Sequence, residues 1–182
     1  RRQRQMCIRD RSQTSDSIKV NDLEQQFSDS ITQINKQNEH LKASRDAYNE
    51  GLILLQNESY SEAIPYFTKA IDVDSIFSEA YLSRAKCYEK SDDNLAIADY
   101  LIVFGLDSNN LFPLYAVASL QLKSDRTKAK EMYTTILSLK DGEHKAMSQL
   151  GIIAFLNNKY VIAEQLFTQS LAINNNAYSL ND

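Results

Sequence analysis

Glycine, proline, tryptophan and cysteine are all scarce in this sequence. Its 182 residues include four glycines, two prolines, two cysteines and no tryptophan. Glycine and proline together make up roughly 12% of an average chain, so their shortage here excludes collagen-like and turn-rich all-β proteins and favours long helices. Two cysteines are also too few for the disulfide framework of a small secreted domain.

Long apolar runs and a general excess of basic charge are missing as well. The uninterrupted apolar runs end far short of the ~18 residues that a membrane-spanning helix needs, so we expect no membrane insertion. The net charge is −4, although residues 1–12 alone contain five arginines. The rest of the chain is therefore clearly acidic, and an acidic surface argues against nucleic acid as a partner. Hydrophobic residues make up 43% of the chain, which is enough for a packed core.

The basic N-terminal segment differs from the rest of the sequence. Residues 4–11 resemble the in-frame translation of a transposon-end adapter used in sequencing libraries. A basic arm that binds nucleic acid is the alternative interpretation of its arginines. We treat residues 1–17 as a disordered or foreign stretch and leave them out of the fold prediction. Cys87 is then the one remaining cysteine, and it has no partner for an internal disulfide.

Small residues recur through residues 44–177 with a period of 33 or 34 residues. The alanines that set this period are Ala63, Ala96, Ala129 and Ala163, and the aromatic residues four positions after them are Phe67, Tyr100, Tyr133 and Phe167. A second set of small residues precedes the alanines, namely Gly51, Ala85, Ala118 and Gly151. Residues three and four apart share one face of a helix, so each period predicts two antiparallel helices that approach closely. One such pair cannot cover its own apolar face, and neighbouring units must therefore stack.

This pattern resembles the tetratricopeptide repeat (TPR). The first unit carries Gly51, Tyr60, Ala63 and Phe67 at the family's small, aromatic, small and aromatic positions, and the fourth unit carries Gly151, Tyr160, Ala163 and Phe167 there. The two middle units lack the aromatic residue of the turn, and polar residues stand where the family's repeats end in proline. The resemblance implies an all-α fold, a right-handed superhelical solenoid of about four antiparallel helix pairs.

The predicted units cover residues 44–77, 78–110, 111–143 and 144–177. Residues 174–176 are three asparagines, which we interpret as the polar end of the last unit. Residues 178–182 then resemble the start of a truncated further unit. We therefore expect the chain to be a fragment of a longer protein.

Residues 18–43 predict a helix that precedes the array. One seam is complete, because Val20, Phe27, Ile34 and Leu41 recur every seven residues, whereas the partner seam mixes Glu24, Ile31 and Asn38. Our main interpretation is a capping helix that covers the exposed end of the first unit, or a decayed earlier repeat. We also consider that this helix folds into the groove of the array. A weak dimeric coiled coil is the alternative, so a homo-oligomer remains possible.

No residue pattern predicts catalysis or metal binding. The four glycines are isolated, so no glycine-rich phosphate-binding loop is present. His40 and His144 are about a hundred residues apart and lack neighbouring ligands or an orienting group. Cys87 lies in the middle of a predicted helix, where we expect a small core side chain. We therefore predict a protein that is not an enzyme and uses no metal and no cofactor.

The resemblance also implies a binding surface, because the first helices of successive TPR units line a concave groove. The residues at these groove positions are Tyr48, Leu52, Leu55, Leu82, Ser83, Lys86, Glu89, Tyr115, Ser119, Leu122, Gln149, Ile152 and Phe155. This mixture of apolar, aromatic and polar side chains suits an amphipathic helix or an extended apolar peptide.

One branch of the family binds the C-terminal carboxylate of chaperones through a clamp of lysine, asparagine and arginine. The matching positions here hold Tyr48, Leu52, Ser83, Glu79 and Ala116. None is cationic, so a carboxylate would lack charge-assisted hydrogen bonds, and we predict that this chain is not a chaperone-tail clamp.

The predicted function is a non-catalytic scaffold that binds a protein or peptide partner in the TPR groove. The alternative is a regulatory or sensor segment of a larger signalling or transcription-regulating protein, whose effector domain lies outside this chain.

Overall fold

Eight α-helices account for nearly all of the chain that the structure describes. The structure is a computed structural model that describes the backbone of residues 2–179 and the side chains of residues 20–174. The helices are α1 (Arg2–Gln56), α2 (Tyr60–Val73), α3 (Ser78–Tyr88), α4 (Asp93–Leu106), α5 (Phe112–Ser124), α6 (Arg126–Leu139), α7 (His144–Leu156) and α8 (Tyr160–Ser179). Within residues 2–179 there is no strand, and the prediction of an all-α fold is confirmed.

The helices form a linear stack. Each helix packs against its neighbours in the sequence, and the one additional contact in the described chain joins α1 to α3. A unit that touches only the units beside it is the defining feature of a solenoid, so the predicted architecture is confirmed. The first helix of each unit belongs to α1, α3, α5 or α7, and the second is α2, α4, α6 or α8.

The small residues of the repeat lie in the core. Ala63, Ala96 and Ala129 are fully buried, and Ala163 is 2% exposed. In the first unit, a Cβ atom at Gly51 would lie 2.7 Å from Cε1 of Phe67, so the ring of Phe67 packs directly over the glycine of its own unit.

Two kinds of turn join the helices within the units. In the first and fourth units Glu58 and Asn158 adopt left-handed conformations, with φ of 59° and 60°, and the amide that follows each donates to a carbonyl five residues back. This is the hydrogen bond of a Schellman turn. In the middle units Asp92 and Asp125 are N-caps, and each carboxylate accepts hydrogen bonds from backbone amides two and three residues ahead. The middle units, which lack the turn aromatic, therefore use a different connection, which is one residue longer in the second unit and two residues shorter in the third.

Helix α1 differs from the prediction for the N-terminal part of the chain. It runs unbroken from Arg2 to Gln56, so residues 2–17 are helical where we predicted disorder, and the predicted boundary at residue 44 falls inside a helix. Residue 1 lies outside the described residues. Residues 20–43 are exposed, and among the described helices α1 contacts only α2 and α3. The helix therefore neither caps the first unit nor lies in the groove, which corrects our main interpretation of this segment.

Helix α8 is also longer than predicted. It continues through the three asparagines at 174–176 and ends at Ser179. Residues 178–179 therefore extend the second helix of the fourth unit where the sequence predicted the start of a further one. Residues 180–182 lie outside the described residues.

Candidate functional site

The predicted groove residues all lie on the first helices of their units, but their accessibility differs. Four are exposed: Lys86, Ser119, Ile152 and Phe155. Eight are partly buried: Tyr48, Leu52, Leu55, Leu82, Glu89, Tyr115, Leu122 and Gln149. Ser83 is only 6% exposed, so the prediction that its side chain lines an accessible groove is wrong.

In the first unit, the predicted groove residues hold the units together. The ring centroid of Tyr48 lies 5.8 Å from that of Phe67 and 4.8 Å from that of Phe77, in a tilted arrangement typical of packed aromatic pairs. Leu52 and Leu55 pack against the buried cluster that contains Phe67 and Cys87. These side chains therefore contribute to the core between the first two units, and little of each remains for a partner.

In the second unit, Glu89 is held by a hydrogen bond within the chain. The hydroxyl of Tyr100 donates to Oε1 of Glu89 over 2.6 Å. Leu82 packs between two buried clusters, whereas Lys86 on the same helix is exposed. Lys86 is therefore the one exposed residue among the predicted groove residues of this helix.

A concave surface does form between α5 and α7, the first helices of the third and fourth units. Its cavity has a volume of about 380 Å³ and is lined by Tyr115, Ser119, Leu122, Tyr133, His144, Lys145, Ser148 and Gln149. Four of these residues were predicted from the sequence, namely Tyr115, Ser119, Leu122 and Gln149. We call this surface, together with Ile152 and Phe155 further along α7, the α5–α7 groove.

Sequence reasoning did not assign the other four cavity residues to the groove: Tyr133 on α6, which it treated as a repeat aromatic, and three residues on α7. Ser148 lies 33 residues after Tyr115, so the repeat period itself carried a signal for Ser148. Lys145 precedes Gln149 by four residues and therefore shares its face of the helix. His144 is the first residue of α7 and had no comparable signal.

Hydrogen bonds fix the polar groups at one end of the α5–α7 groove. The hydroxyl of Tyr115 donates to Oε2 of Glu143 over 3.1 Å, and Lys140 forms an ion pair with the other carboxylate oxygen. The hydrogen bond from Lys140, and to a lesser extent that from Tyr115, lowers the pKa of Glu143. Burial, followed by the bond to Glu143, raises the pKa of Tyr115. Glu143 therefore stays ionised and Tyr115 neutral at ordinary pH, and the ring of Tyr115 has a fixed position.

A second set of hydrogen bonds fixes α7 against α8. The hydroxyl of Ser170 donates to the backbone carbonyl of His144 over 2.7 Å, and the hydroxyl oxygens of Ser148 and Ser170 also lie 2.7 Å apart. Ser170 is only 4% exposed. The wall of the groove formed by α7 is therefore held rigidly by its own second helix.

The exposed groove residues combine apolar side chains with cations. Ile152 and Phe155 are 38% and 55% exposed, and their spacing of three places them on one face of α7. Lys86 and Lys145 form no ion pair with any other residue in the described part of the chain. Lys145 lies seven residues before Ile152 and shares its face of α7, whereas Lys86 lies on α3. An apolar strip on the same helix face as Lys145 is chemically suited to a peptide that has both apolar and acidic side chains.

Residues 20–174 contain neither a cluster of metal ligands nor an exposed thiol. Among them, no three His, Cys, Asp or Glu side chains come together as metal ligands would. Cys87 is fully buried, and burial raises the pKa of its thiol to about 11, which keeps the reactive thiolate scarce. None of the helices in the described chain combines the length and the apolar character needed to cross a membrane.

Several solved structures have a similar fold. A crystal structure of MamA has a TM-score of 0.64 and 19% sequence identity, over 80% of this chain and 89% of that one. The first TPR of Spaghetti (RPAP3), bound to the HSP90 peptide SRMEEVD, has a TM-score of 0.54 and 19% identity, over 64% and 94% of the two chains. The Arabidopsis OM64 TPR domain has a TM-score of 0.53 and 16% identity, over 63% and 96%. No protein-family model matches the sequence, and no match is found among curated proteins.

Proposed function

We propose that this chain, whose fold is that of a TPR array, is a non-catalytic scaffold that binds a peptide or amphipathic helix of a partner protein in the α5–α7 groove. The observation that carries this proposal is the cavity of about 380 Å³ between the two helices, together with Ile152 and Phe155, which are exposed further along α7. Apolar side chains exposed next to a concave surface are characteristic of interaction sites. Hydrogen bonds hold the side chain of Tyr115 and the helix α7 in place, which lowers the entropy lost on binding.

The partner segment carries apolar anchors next to acidic side chains. Its anchors pack on Ile152 and Phe155, and apolar residues at i, i+3 and i+4 of an amphipathic helix match this strip. Its acidic residues lie near Lys145 and Lys86, where opposite charges raise the rate and specificity of association. The hydroxyl and amide groups of Ser119 and Gln149 supply hydrogen bonds that fix the orientation of the bound segment.

The binding mode differs from that of a chaperone-tail clamp. One of the solved structures with a similar fold binds the HSP90 peptide SRMEEVD. In this chain the ring of Tyr48 is packed against Phe67 and Phe77, and Ser83 is buried, so neither position offers a charged donor to a terminal carboxylate. We therefore expect no saturable binding of SRMEEVD to this chain.

Peptide selection tests the proposal. A displayed library of random peptides is selected on the immobilised chain, and the affinities of the selected peptides are measured by fluorescence anisotropy. We expect the double substitution Ile152→Glu and Phe155→Glu to weaken binding at least ~10-fold, because it places charge on the apolar strip. Circular dichroism should show unchanged helix content, since both side chains are exposed.

A matched variant lies on the second helix of the second unit. Leu101 and Ile102 on α4 are 44% and 41% exposed, close to the exposure of the groove pair. Leu101→Glu with Ile102→Glu adds the same charge outside the groove and should leave binding within about twofold of the unsubstituted chain. Peptides that lose affinity with the α4 variant, and keep it with the α7 variant, would place the binding surface elsewhere and contradict the proposal.

A further inference from the structure

An exposed apolar stripe runs along the part of α1 that precedes the array. Its apolar members are Val20, Leu23, Phe27, Ile31, Ile34 and Leu41, which are between 44% and 70% exposed. Ser44 is the first buried residue of α1 among the residues whose side chains are described. No other described helix covers the stripe, because α1 contacts only α2 and α3. Six large apolar side chains on one water-exposed helix indicate a surface that another element covers.

The spacing of the stripe identifies the kind of element. From Phe27 to Leu41, with Asn38 included, its members follow one another at intervals of 4, 3, 4 and 3 residues, which is 14 residues in four steps. Towards Val20 the next position of this alternation is Glu24, and Leu23 lies directly before it. The mean of 3.5 residues is the repeat of a left-handed coiled coil, whereas a straight helix has 3.6 residues per turn. A second helix running alongside α1 therefore fits the stripe. A single polar residue in the seam, such as Asn38 here, fixes the alignment of the two helices in many coiled coils.

The charges on α1 identify the second helix and its direction. Residues 20–31 contain three acidic residues and no basic one, whereas residues 32–41 contain one lysine and one glutamate, and Lys42 and Arg45 follow them. The segment therefore has an acidic half and a neutral half that is followed by two basic residues. A parallel second copy would place the two acidic halves together, whereas an antiparallel copy places each acidic half beside the neutral half. Packed helices lie about 8–10 Å apart, which is comparable with the screening length in physiological salt. Salt therefore screens the repulsion between charges on the two helices only in part.

We propose that residues 20–41 of α1 form an antiparallel two-stranded coiled coil with the same segment of a second copy of this chain. In this pairing Val20 lies near Leu41 of the partner subunit, and Phe27 lies near Ile34 of the partner subunit. The dimer covers both apolar stripes and leaves the α5–α7 groove of each copy accessible, since the groove lies on other helices. This surface is independent of the proposed function, but a dimer would present two grooves to one partner and increase the avidity of binding.

The mass of the full chain in solution tests the dimer. Sedimentation equilibrium over micromolar concentrations should give twice the chain mass of 20.8 kDa. Phe27→Glu with Ile34→Glu puts four like charges into one seam and should give 20.8 kDa. The matched variant, Gln25→Glu with Thr32→Glu, adds the same charge on the opposite face of α1 and should remain dimeric. A monomeric unsubstituted chain, a larger assembly, or a dimer unaffected by the seam variant would overturn the proposal.

Cross-linking tests the orientation. In chains that carry Cys7→Ser, Val20→Cys and Leu41→Cys are introduced separately, and the dimer mass is measured under reducing conditions first. Cys87 is buried and does not compete. On oxidation, the mixture of the two variants should form a disulfide-linked dimer that contains one chain of each, while the Val20→Cys chain alone should not. A linked dimer of Val20→Cys alone, or no linked dimer in the mixture, would overturn the antiparallel pairing.

Discussion

Single side chains set the distance between the helices of a unit. At Gly51 a Cβ atom would lie 2.7 Å from the ring of Phe67, and at Gly151 it would lie equally close to the ring of Phe167. Phe67 is fully buried and has no space to move, whereas Phe167 is partly exposed. Gly105 on α4 differs from both, because nothing lies within 4 Å of its missing Cβ. Chemically identical substitutions therefore have opposite expected effects.

We expect Gly51→Ala to lower the free energy of unfolding by about 1–3 kcal/mol, because the methyl group overpacks the core against Phe67. This loss outweighs the gain of roughly 0.5–1 kcal/mol that alanine brings to a helix. Gly105→Ala gains helix propensity without overpacking, so it should leave the free energy of unfolding unchanged or raise it. The effect of Gly151→Ala on the free energy of unfolding should lie between those of Gly51→Ala and Gly105→Ala. Urea unfolding followed by circular dichroism measures all three. Equal stabilisation by Gly51→Ala and Gly105→Ala would contradict the packing described.

The residues of the binding surface could be predicted only in part. The repeat period predicted that Tyr115, Ser119, Leu122 and Gln149 share one surface, and these four residues line one cavity. Ser83 was misassigned because a shift of one residue turns a side chain by about 100° around the helix axis, enough to move it from groove to core. His144 was missed because its place in the cavity depends on where α7 begins, which is set by the turn before it.

Adjacent helices of the first two units are linked by one partly buried ion pair. The guanidinium of Arg84 on α3 donates to both carboxylate oxygens of Asp99 on α4 over 2.8 Å, and to the hydroxyl of Thr68 on α2 over 3.0 Å. It also lies 5.5 Å from the ring centroid of Tyr81. The hydrogen bond to Asp99 is the main reason that the pKa of Arg84 is raised. Asp99 is 3% exposed, and both of its carboxylate oxygens accept hydrogen bonds from Arg84.

Removal of Arg84 alone should therefore be costly. We expect Arg84→Leu to destabilise the chain by about 3–5 kcal/mol, since it leaves the carboxylate of Asp99 buried and unpaired. The double variant Arg84→Leu with Asp99→Leu should recover part of this loss, which a double-mutant cycle from urea unfolding would measure. Lys123→Leu, which breaks the exposed pair with Asp93, should cost less than about 1 kcal/mol. A double variant no more stable than Arg84→Leu would contradict the role assigned to the pair.

The lengths of α1 and α8 were harder to predict than the positions of the helices between them. Between residues 18 and 50 the sequence has no glycine or proline, so the predicted boundary at residue 44 came from the repeat period and not from a residue that ends a helix. The asparagines at 174–176 cost a helix at most roughly 0.7 kcal/mol each relative to alanine, which tertiary packing easily offsets. Local sequence therefore allowed a helix end at both places without requiring one.

Across the whole molecule, several tyrosine hydroxyls and one cysteine thiol that lose a proton in alkaline solution are buried or partly buried. Burial raises the pKa of Tyr100, Tyr115 and Tyr133, with hydrogen bonds to Glu89 and Glu143 adding to the shift for the first two. Burial also raises the pKa of Cys87 to about 11. In the unfolded chain these groups lose their protons near their ordinary pKa values of 9.0 for the thiol and 10.0 for the phenols. The folded state therefore holds more protons than the unfolded state in alkaline solution.

Stability should consequently be complete below pH ~9 and fall as the pH rises through the pKa values of these groups, because alkali favours the state that releases protons. Tyr100→Phe removes one such group and should make the fall shallower, although it also leaves Glu89 without its donor. Tyr66→Phe, at a tyrosine that is 40% exposed, should follow the unsubstituted chain. Urea midpoints measured across the alkaline range test this, and three identical slopes would contradict it.

The stack of helix pairs was predictable as a whole because its core repeats, while the direction of α1 away from the array was not. The repeat period fixes which side chains meet inside the array, but the stripe on α1 is equally compatible with a cap or a coiled coil when only the sequence is known. Residues 20–43 are exposed in the structure, which excludes the interpretation that this part of α1 caps the first unit.

Hydrogen–deuterium exchange of the full chain, with and without a peptide selected from the displayed library, tests the proposed binding surface most directly. Because the peptide should lie between the first helices of the third and fourth units, we predict slower exchange in α5 and α7 on binding, with α2 and α4 unchanged. Slower exchange confined to the second helices, with no change in α5 or α7, would contradict the proposal that this protein binds its partners in the α5–α7 groove.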